Sequence, residues 1–116
     1  MTNNQKQHKL SLKKPYFDLI KSGKKTIELR LYDEKRQQIN PEDIIVFQNG
    51  DNFIRCKVKG LIRAKNFATL FEIIDIKKAG FVSTKNALEI LQKFYDTETQ
   101  NKFGVVGIIL ETQNTK

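Results

Sequence analysis

From residue 53 to 59 apolar and basic side chains alternate, with Ile54, Cys56 and Val58 on one side of an extended chain and Arg55, Lys57 and Lys59 on the other. Successive strand residues point to opposite faces, so this segment is a strand with one face in a core and a cationic face toward solvent. Gly60 marks a bulge that lets the strand bend on through Leu61 and Ile62. Residues 104–110 add a second constraint. They form a nearly continuous apolar run, too short for a typical helix and rich in β-branched residues, and so read as a buried strand.

The remaining elements fit around these two. A short strand is expected over residues 9–12, followed by a helix with Pro15 in its first turn, Phe17, Leu19 and Ile20 on its buried side and Gly23 as a left-handed terminator. Ile27, Leu29 and Leu31 give residues 25–32 a strand period, and Asn40-Pro41-Glu42-Asp43 reads as a turn. Ile44, Val46 and Phe47 form a third strand, with Asn49-Gly50-Asp51 as a hairpin signal. Thr69-Leu70-Phe71-Glu72 has the spacing of a capping box opening a short helix, and Ser83 caps a longer one whose apolar side is Ala87, Leu88, Leu91, Phe94 and Tyr95. This order of elements is α+β, a curved sheet closed around one core. A chain of 116 residues is enough for one domain. Such a domain buries about two thirds of its extended-chain surface, and the expected ordered core is residues 9–111 with loose ends.

No apolar run approaches the ~18 residues of a membrane helix and no apolar stretch in the first residues serves as a signal peptide, so the expected compartment is the cytoplasm. One cysteine and one histidine make neither an intrachain disulfide nor a recognisable zinc cluster, and no metal or cofactor is implied. Cys56 alternates with core residues and reads as a small buried hydrophobe; His8 lies in a polar, mobile tail. Twenty-one Lys and Arg against thirteen Asp and Glu leave a net charge of +8, and Arg55, Lys57, Lys59, Arg63 and Lys65 stand together with no acidic residue among them. That local excess points to a nucleic-acid or phosphate-bearing partner. Tyr32 and Tyr95 are candidates to stack on bases, whereas Phe81 and Phe103 read as core.

The stretch GKKTIELRLYDEKR raises a further question. In a regular strand Lys25 would share the apolar face of Ile27 and Leu29, with Glu28, Arg30 and Tyr32 opposite. A charge on a buried face persists when it is paired, and Glu28 is the nearest partner; a bulge between the two would bring them together. The pattern Gly23-x-Lys25-x-x-Glu28-x-Arg30 resembles the signature of the ASCH domain, a PUA-like module. The likeness extends over most of the chain through Asp33-Glu34-Lys35-Arg36, the Ile44-x-x-Phe47 strand, the helix ending in Phe94-Tyr95 and the Phe103-Gly104-Val105 run, in the order of bacterial single-domain members. Glu42-Asp43 stands where the family leads one to expect Gly-Asp.

The resemblance implies a small curved β-barrel flanked by short helices, binding RNA or a nucleotide-like ligand in a charged cleft. The ligand-binding candidates are then Lys25, Glu28, Arg30, Tyr32, Lys35, Arg36 and Tyr95, together with the cationic row of Arg55, Lys57 and Lys59. It also implies an alternative, hydrolysis of RNA or of a modified nucleoside in the same cleft, with Lys25 and Glu28 as the catalytic pair. Similar enzymes that deacetylate acetylcytidine place a threonine nucleophile where this chain has Glu28. A carboxylate beside an ammonium favours the charged form, against the neutral lysine that a general base requires. A third implication is a protein-interaction module, as in the ASCH domains of transcription coactivators.

Overall fold

In the computed structural model, which describes residues 5–113, the alternating segment becomes the longest strand. The strands are β1 (Gln7–Ser11), β2 (Ile27–Leu31), β3 (Ile44–Asn49), β4 (Asn52–Ala64) and β5 (Val105–Thr112), joined in one sheet of order β1-β3-β4-β5-β2. Among the described residues only the β1–β3 pair is parallel. The helices are α1 (Lys14–Lys21), α2 (Phe67–Leu70), α3 (Thr84–Phe94) and α4 (Thr97–Phe103), with 3₁₀ turns at Arg36–Gln38 and Ile76–Ala79. The sheet curls into a half-barrel whose two free edges are β1 and β2. Among the described residues no helix is long and apolar enough to cross a membrane.

The two constraining segments lie where their patterns require. Ile54, Cys56 and Val58 join Phe47, Ile108 and the α1 residues Phe17 and Ile20 inside the curl. The opposite face of β2 and β5 carries Ile27, Leu29 and Val105, which pack on Phe67 and Leu70 of α2 and on Ala87 and Leu91 of α3. β5 is therefore covered on both sides, as an unbroken apolar run demands. Fully buried side chains such as Phe47, Phe67 and Ile20 each contribute about 1.5–3 kcal/mol of transfer free energy.

The bulge at Gly60 has a larger effect than bending. The β4–β5 register slips between Val58, opposite Leu110, and Gly60, opposite Ile109. A one-residue slip exchanges the faces of everything beyond it. Leu61 and Arg63 consequently share the inner face with Val58, paired with Ile108 and Val106, while Arg55, Lys57 and Lys59 stay on the outer one. The continuous basic stretch of the sequence is thus divided between two sides of the sheet.

Several boundaries differ from expectation. The first strand starts at Gln7, so His8 belongs to β1 and not to a loose tail. At the other end β5 runs on to Thr112, inside the expected loose end, and residues 1–4 and 114–116 of those ends lie outside the described residues. The short helix is capped by Asn66, whose side chain accepts from the Thr69 amide at 2.8 Å, so Thr69 is the third residue of the turn and not its cap. Ser83 caps α3 as expected, accepting from the Asn86 amide. α4 has no counterpart in the sequence reading, because none of its residues is buried and so no apolar period marks it; it is capped by Asp96 through the Thr99 amide at 2.7 Å. Glu42 has φ 78°, a left-handed conformation that explains why glycine would suit this position.

Asp43 closes the same turn from inside. It is 3 % exposed and its carboxylate accepts from the Lys6 amide at 3.1 Å, the Asn40 amide at 2.9 Å and His8 Nε2 at 2.9 Å. Burial alone would raise its pKa, but the bonds from His8, Asn40 and Lys6 together outweigh it and hold the group below the ordinary 3.8. A carboxylate with a depressed folded pKa stabilises the fold above its unfolded pKa, and that stabilisation is lost as pH falls through the folded value. Urea unfolding should therefore show stability declining as pH drops below the ordinary 3.8, with this part of the decline absent in Asp43→Asn. Asp43→Ala should cost about 2–3 kcal/mol at neutral pH, since it orphans two amides and an imidazole; a loss no larger than that of a surface substitution would contradict this role.

Candidate functional site

Lys25 precedes β2 rather than lying in it, which removes the need for the expected bulge. α1 ends at Ser22 and Gly23, the latter at φ 85°, and the chain then turns back so that the Lys25 amide bonds Leu19 O and the Thr26 amide bonds Lys78 O. This turn aims the lysine inward. Its Nζ donates to Ile27 O and Ala79 O, both at 2.7 Å, and lies 3.2 Å from Glu28 Oε1. The three acceptors match the three protons of an ammonium. Gly80, at φ 93°, is required here twice over: its backbone is left-handed, and a Cβ would meet Lys25 Cδ at 3.2 Å.

Glu28 is shared between two cations. Its second oxygen, Oε2, accepts from Arg30 Nε at 2.7 Å, and Arg30 Nη2 reaches across the mouth of the curl to Ser11 O on β1 at 2.8 Å. Lys25 and Glu28 are 3 % and 4 % exposed. Burial pushes the Lys25 pKa down, and this outweighs the opposing pull of Glu28, with Arg30 adding to the downward shift. The expectation that Glu28 would hold that pKa up is corrected accordingly: desolvation disfavours the charged form more than one shared carboxylate favours it. Tyr16 has its pKa raised, by burial first and then by the Glu28 charge, and its ring centroid is 5.8 Å from Lys25 Nζ.

These groups floor a cavity of about 180 Å³ between the β1–α1 connection, β2 and the end of α3. Its walls include Leu12, Tyr16, Phe81, Leu91, Phe94 and Tyr95. Tyr16 packs on Phe81 at 5.7 Å and Tyr95 on Phe67 at 5.7 Å, whereas Phe94 is 52 % exposed with Lys13 Nζ 4.3 Å from its centroid. The chemistry on offer is a small, largely apolar recess with two cations and one carboxylate at its floor. It suits a flat polar ring or a carbonyl-bearing group better than a bulky one.

The proposed residues divide around this cavity. Lys25, Glu28, Arg30 and Tyr95 line it; Tyr32, Lys35, Arg36, Arg55, Lys57 and Lys59 do not. Arg36 is bonded to Asp33 at 3.0 Å, and Lys35 is exposed beside it. In the outer row Lys57 is paired with Glu42 at 2.8 Å and faces Glu111 across the ladder, whereas Arg55 and Lys59 form no ion pair among the described residues. Sequence reasoning did not single out Tyr16 or Lys13, though Tyr16 lies one residue past the helix-opening Pro15, on the turn that faces Lys25. Burial pushes the Cys56 thiol up to about 11, as fits an inert core residue.

Removing one partner of a buried ion pair costs about 3–5 kcal/mol because it strands the other charge. Glu28→Ala strands two cations and should fall at the upper end of that range. Lys25→Met leaves Glu28 paired with Arg30 and should cost less. Chemical denaturation of both variants tests the order; equal costs would show that the carboxylate is not shared in the way its bonds imply.

A family model described as the ASCH domain matches residues 10–113. The crystal structure of hypothetical protein PH0355 superposes with a TM-score of 0.84 at 40 % identity, over 92 % of this chain and 99 % of that one. The solution NMR structure of protein PF0455 from Pyrococcus furiosus gives 0.76 at 34 % identity, over 94 % and 99 %. ZmASCH from Zymomonas mobilis, crystallised as a mutant, gives 0.67 at 15 % identity over 93 % of this chain and 69 % of that one, a likeness of fold. No curated protein matches the chain significantly. The expectation of a bacterial member finds no support in the first two neighbours, which are archaeal. With the family match and both of these structures spanning nearly the whole described chain, the protein belongs to the ASCH domain family and has its PUA-like α+β fold.

Proposed function

We propose that the protein binds single-stranded RNA, or a nucleotide-like ligand, by seating one base in the cavity over Lys25, Glu28 and Arg30. The observation that carries this is the buried floor: two cations share one carboxylate at the bottom of an aromatic-walled recess. In a site screened from water such groups interact strongly with a ligand's carbonyl and amino edges. Glu28 has both oxygens engaged but retains lone pairs for a base or ribose donor, and Arg30 Nη1 has no partner among the described residues. Phe94 at the rim provides an exposed face for stacking, next to Lys13. The family's association with RNA agrees with this reading.

Fluorescence anisotropy with short single-stranded RNA at low salt provides the test. Phe94→Ala, at an exposed position, should leave the fold intact and weaken binding by about 1–3 kcal/mol, the range for a lost base–aromatic stack. Absence of RNA and mononucleotide binding at low salt, or binding indifferent to both Phe94→Ala and Arg30→Lys, would remove the reading. Salt-insensitive capture of a protein partner in its place would favour an interaction module.

Hydrolysis of a modified nucleoside is a second reading, favoured by the downward shift of the Lys25 pKa at the cavity floor. A lysine so placed is a better base than an exposed one, but Glu28 supplies no hydroxyl nucleophile. Wild-type protein should be a poor acetylcytidine amidase, with Glu28→Thr moving it toward that activity. The gain should be small, because a positioning error of about 1 Å can cost a hundredfold. Chromatographic detection of deacetylation decides it: robust wild-type turnover that survives Lys25→Ala would end this assignment of roles.

A further inference from the structure

A second recess opens at the far end of β2, two residues beyond Arg30, lined by Tyr32, Arg63, Lys65, Lys102, Phe103 and Gly104. The Gly60 bulge brings Arg63 here. Without the register slip Arg63 would sit with Arg55, Lys57 and Lys59 on the outer face; with it, Arg63 and Arg30 flank Val106 from either side on one sheet face. Two inter-strand spacings separate their backbones by about 10 Å, and Tyr32 stands ~7 Å along β2 from Arg30.

The Arg63 guanidinium lies over the Tyr32 ring at 4.2 Å, and none of its N–H donors has a partner among the described residues. Stacking fixes the plane of a guanidinium while leaving its edge donors available, the arrangement that suits a phosphate. Lys102 lies 5.2 Å from the Phe103 centroid, and neither it nor Lys65 forms an ion pair among the described residues. No carboxylate lines the recess. Asp33, near it in sequence, is taken by Arg36. The outer row differs: Lys57 there is neutralised by Glu42.

We propose that this recess is a phosphate-binding groove that holds the backbone of the nucleotides flanking the one in the cavity, so that a single RNA strand runs from the cavity past Arg30 and Tyr32, at the mouth of the curl, to Arg63 and Lys102. The proposal rests on the RNA reading of the cavity and extends it from one nucleotide to a short strand. Stacked arginine and lysines without acidic neighbours fit a chain of phosphodiesters, and the aromatic residues beside them fit the bases between.

The test compares two charge-matched double variants, Arg63→Gln with Lys102→Gln in the groove and Arg55→Gln with Lys59→Gln on the outer face. Binding of a labelled octameric single-stranded RNA is followed against salt, and binding of nucleoside monophosphates is measured by calorimetry. The groove variant should lower the log–log salt slope by about 1.4, at roughly 0.7 per lost phosphate contact, and leave mononucleotide binding unchanged. The outer-face variant should change the slope less. Equal slopes for the two variants, or an unchanged slope in the groove variant, would overturn the groove. Competition by polyglutamate as strong as that by RNA would also overturn it, since the surface would then serve any polyanion. Failure of the cavity reading looks different: mononucleotides do not bind and Phe94→Ala has no effect, while the groove variant still weakens RNA. Wild-type protein that binds no RNA at low salt would sink both.

Discussion

The carboxylate of Glu28 is the group on which the arrangement turns. One oxygen faces Lys25 and the other Arg30, and through these two side chains it reaches parts of the chain far apart in sequence. Lys25 is anchored to Ala79, in the turn below α3, and Arg30 to Ser11 on the opposite sheet edge. Taking each ion out of water costs several kcal/mol, so none of the three is tolerated alone. Together they tie the helical layer, β2 and β1 into one structure. They also put charge at the floor of the cavity, so the groups that hold the half-barrel together are the ones a ligand would touch.

This sharing affects how substitutions there are interpreted. A change at Glu28 acts on stability and binding together, whereas Phe94 and Lys13 stand at the rim and act on binding with little structural cost. The Lys25 seat shows the same tension: its acceptors suit an ammonium, while its burial lowers the pKa. Loss of the carboxylate would leave burial unopposed by it.

How much of this was legible in the sequence depends on range. The β4 alternation, the apolar β5, the Ser83 cap and the Gly60 bulge are written in neighbouring residues, and all are found in the fold. The motif residues were legible as a group, but the reason they meet was not. Lys25 reads as a strand residue out of phase, and its seat depends on Ala79, 54 positions away. The face occupied by Arg63 follows from pairing with Val106 on a strand some forty residues later, and so a single basic stretch hid two surfaces. α4 carries no apolar period, and His8 owes its order to Asp43, 35 positions on.

The position of β5 bears on how this chain reaches its fold. Although last of the five described strands in sequence order, β5 lies inside the sheet between β4 and β2 and provides β2 with its ladder partner. Its contacts with β4 close a loop of some forty residues or more, an entropic cost met before any of those bonds forms. During synthesis β1, β3 and β4 can assemble early, but β2 stays an unpaired edge until β5 has emerged. For that interval Ile27, Leu29 and the charges of the motif are exposed together, and partial chains are more prone to associate than the finished sheet.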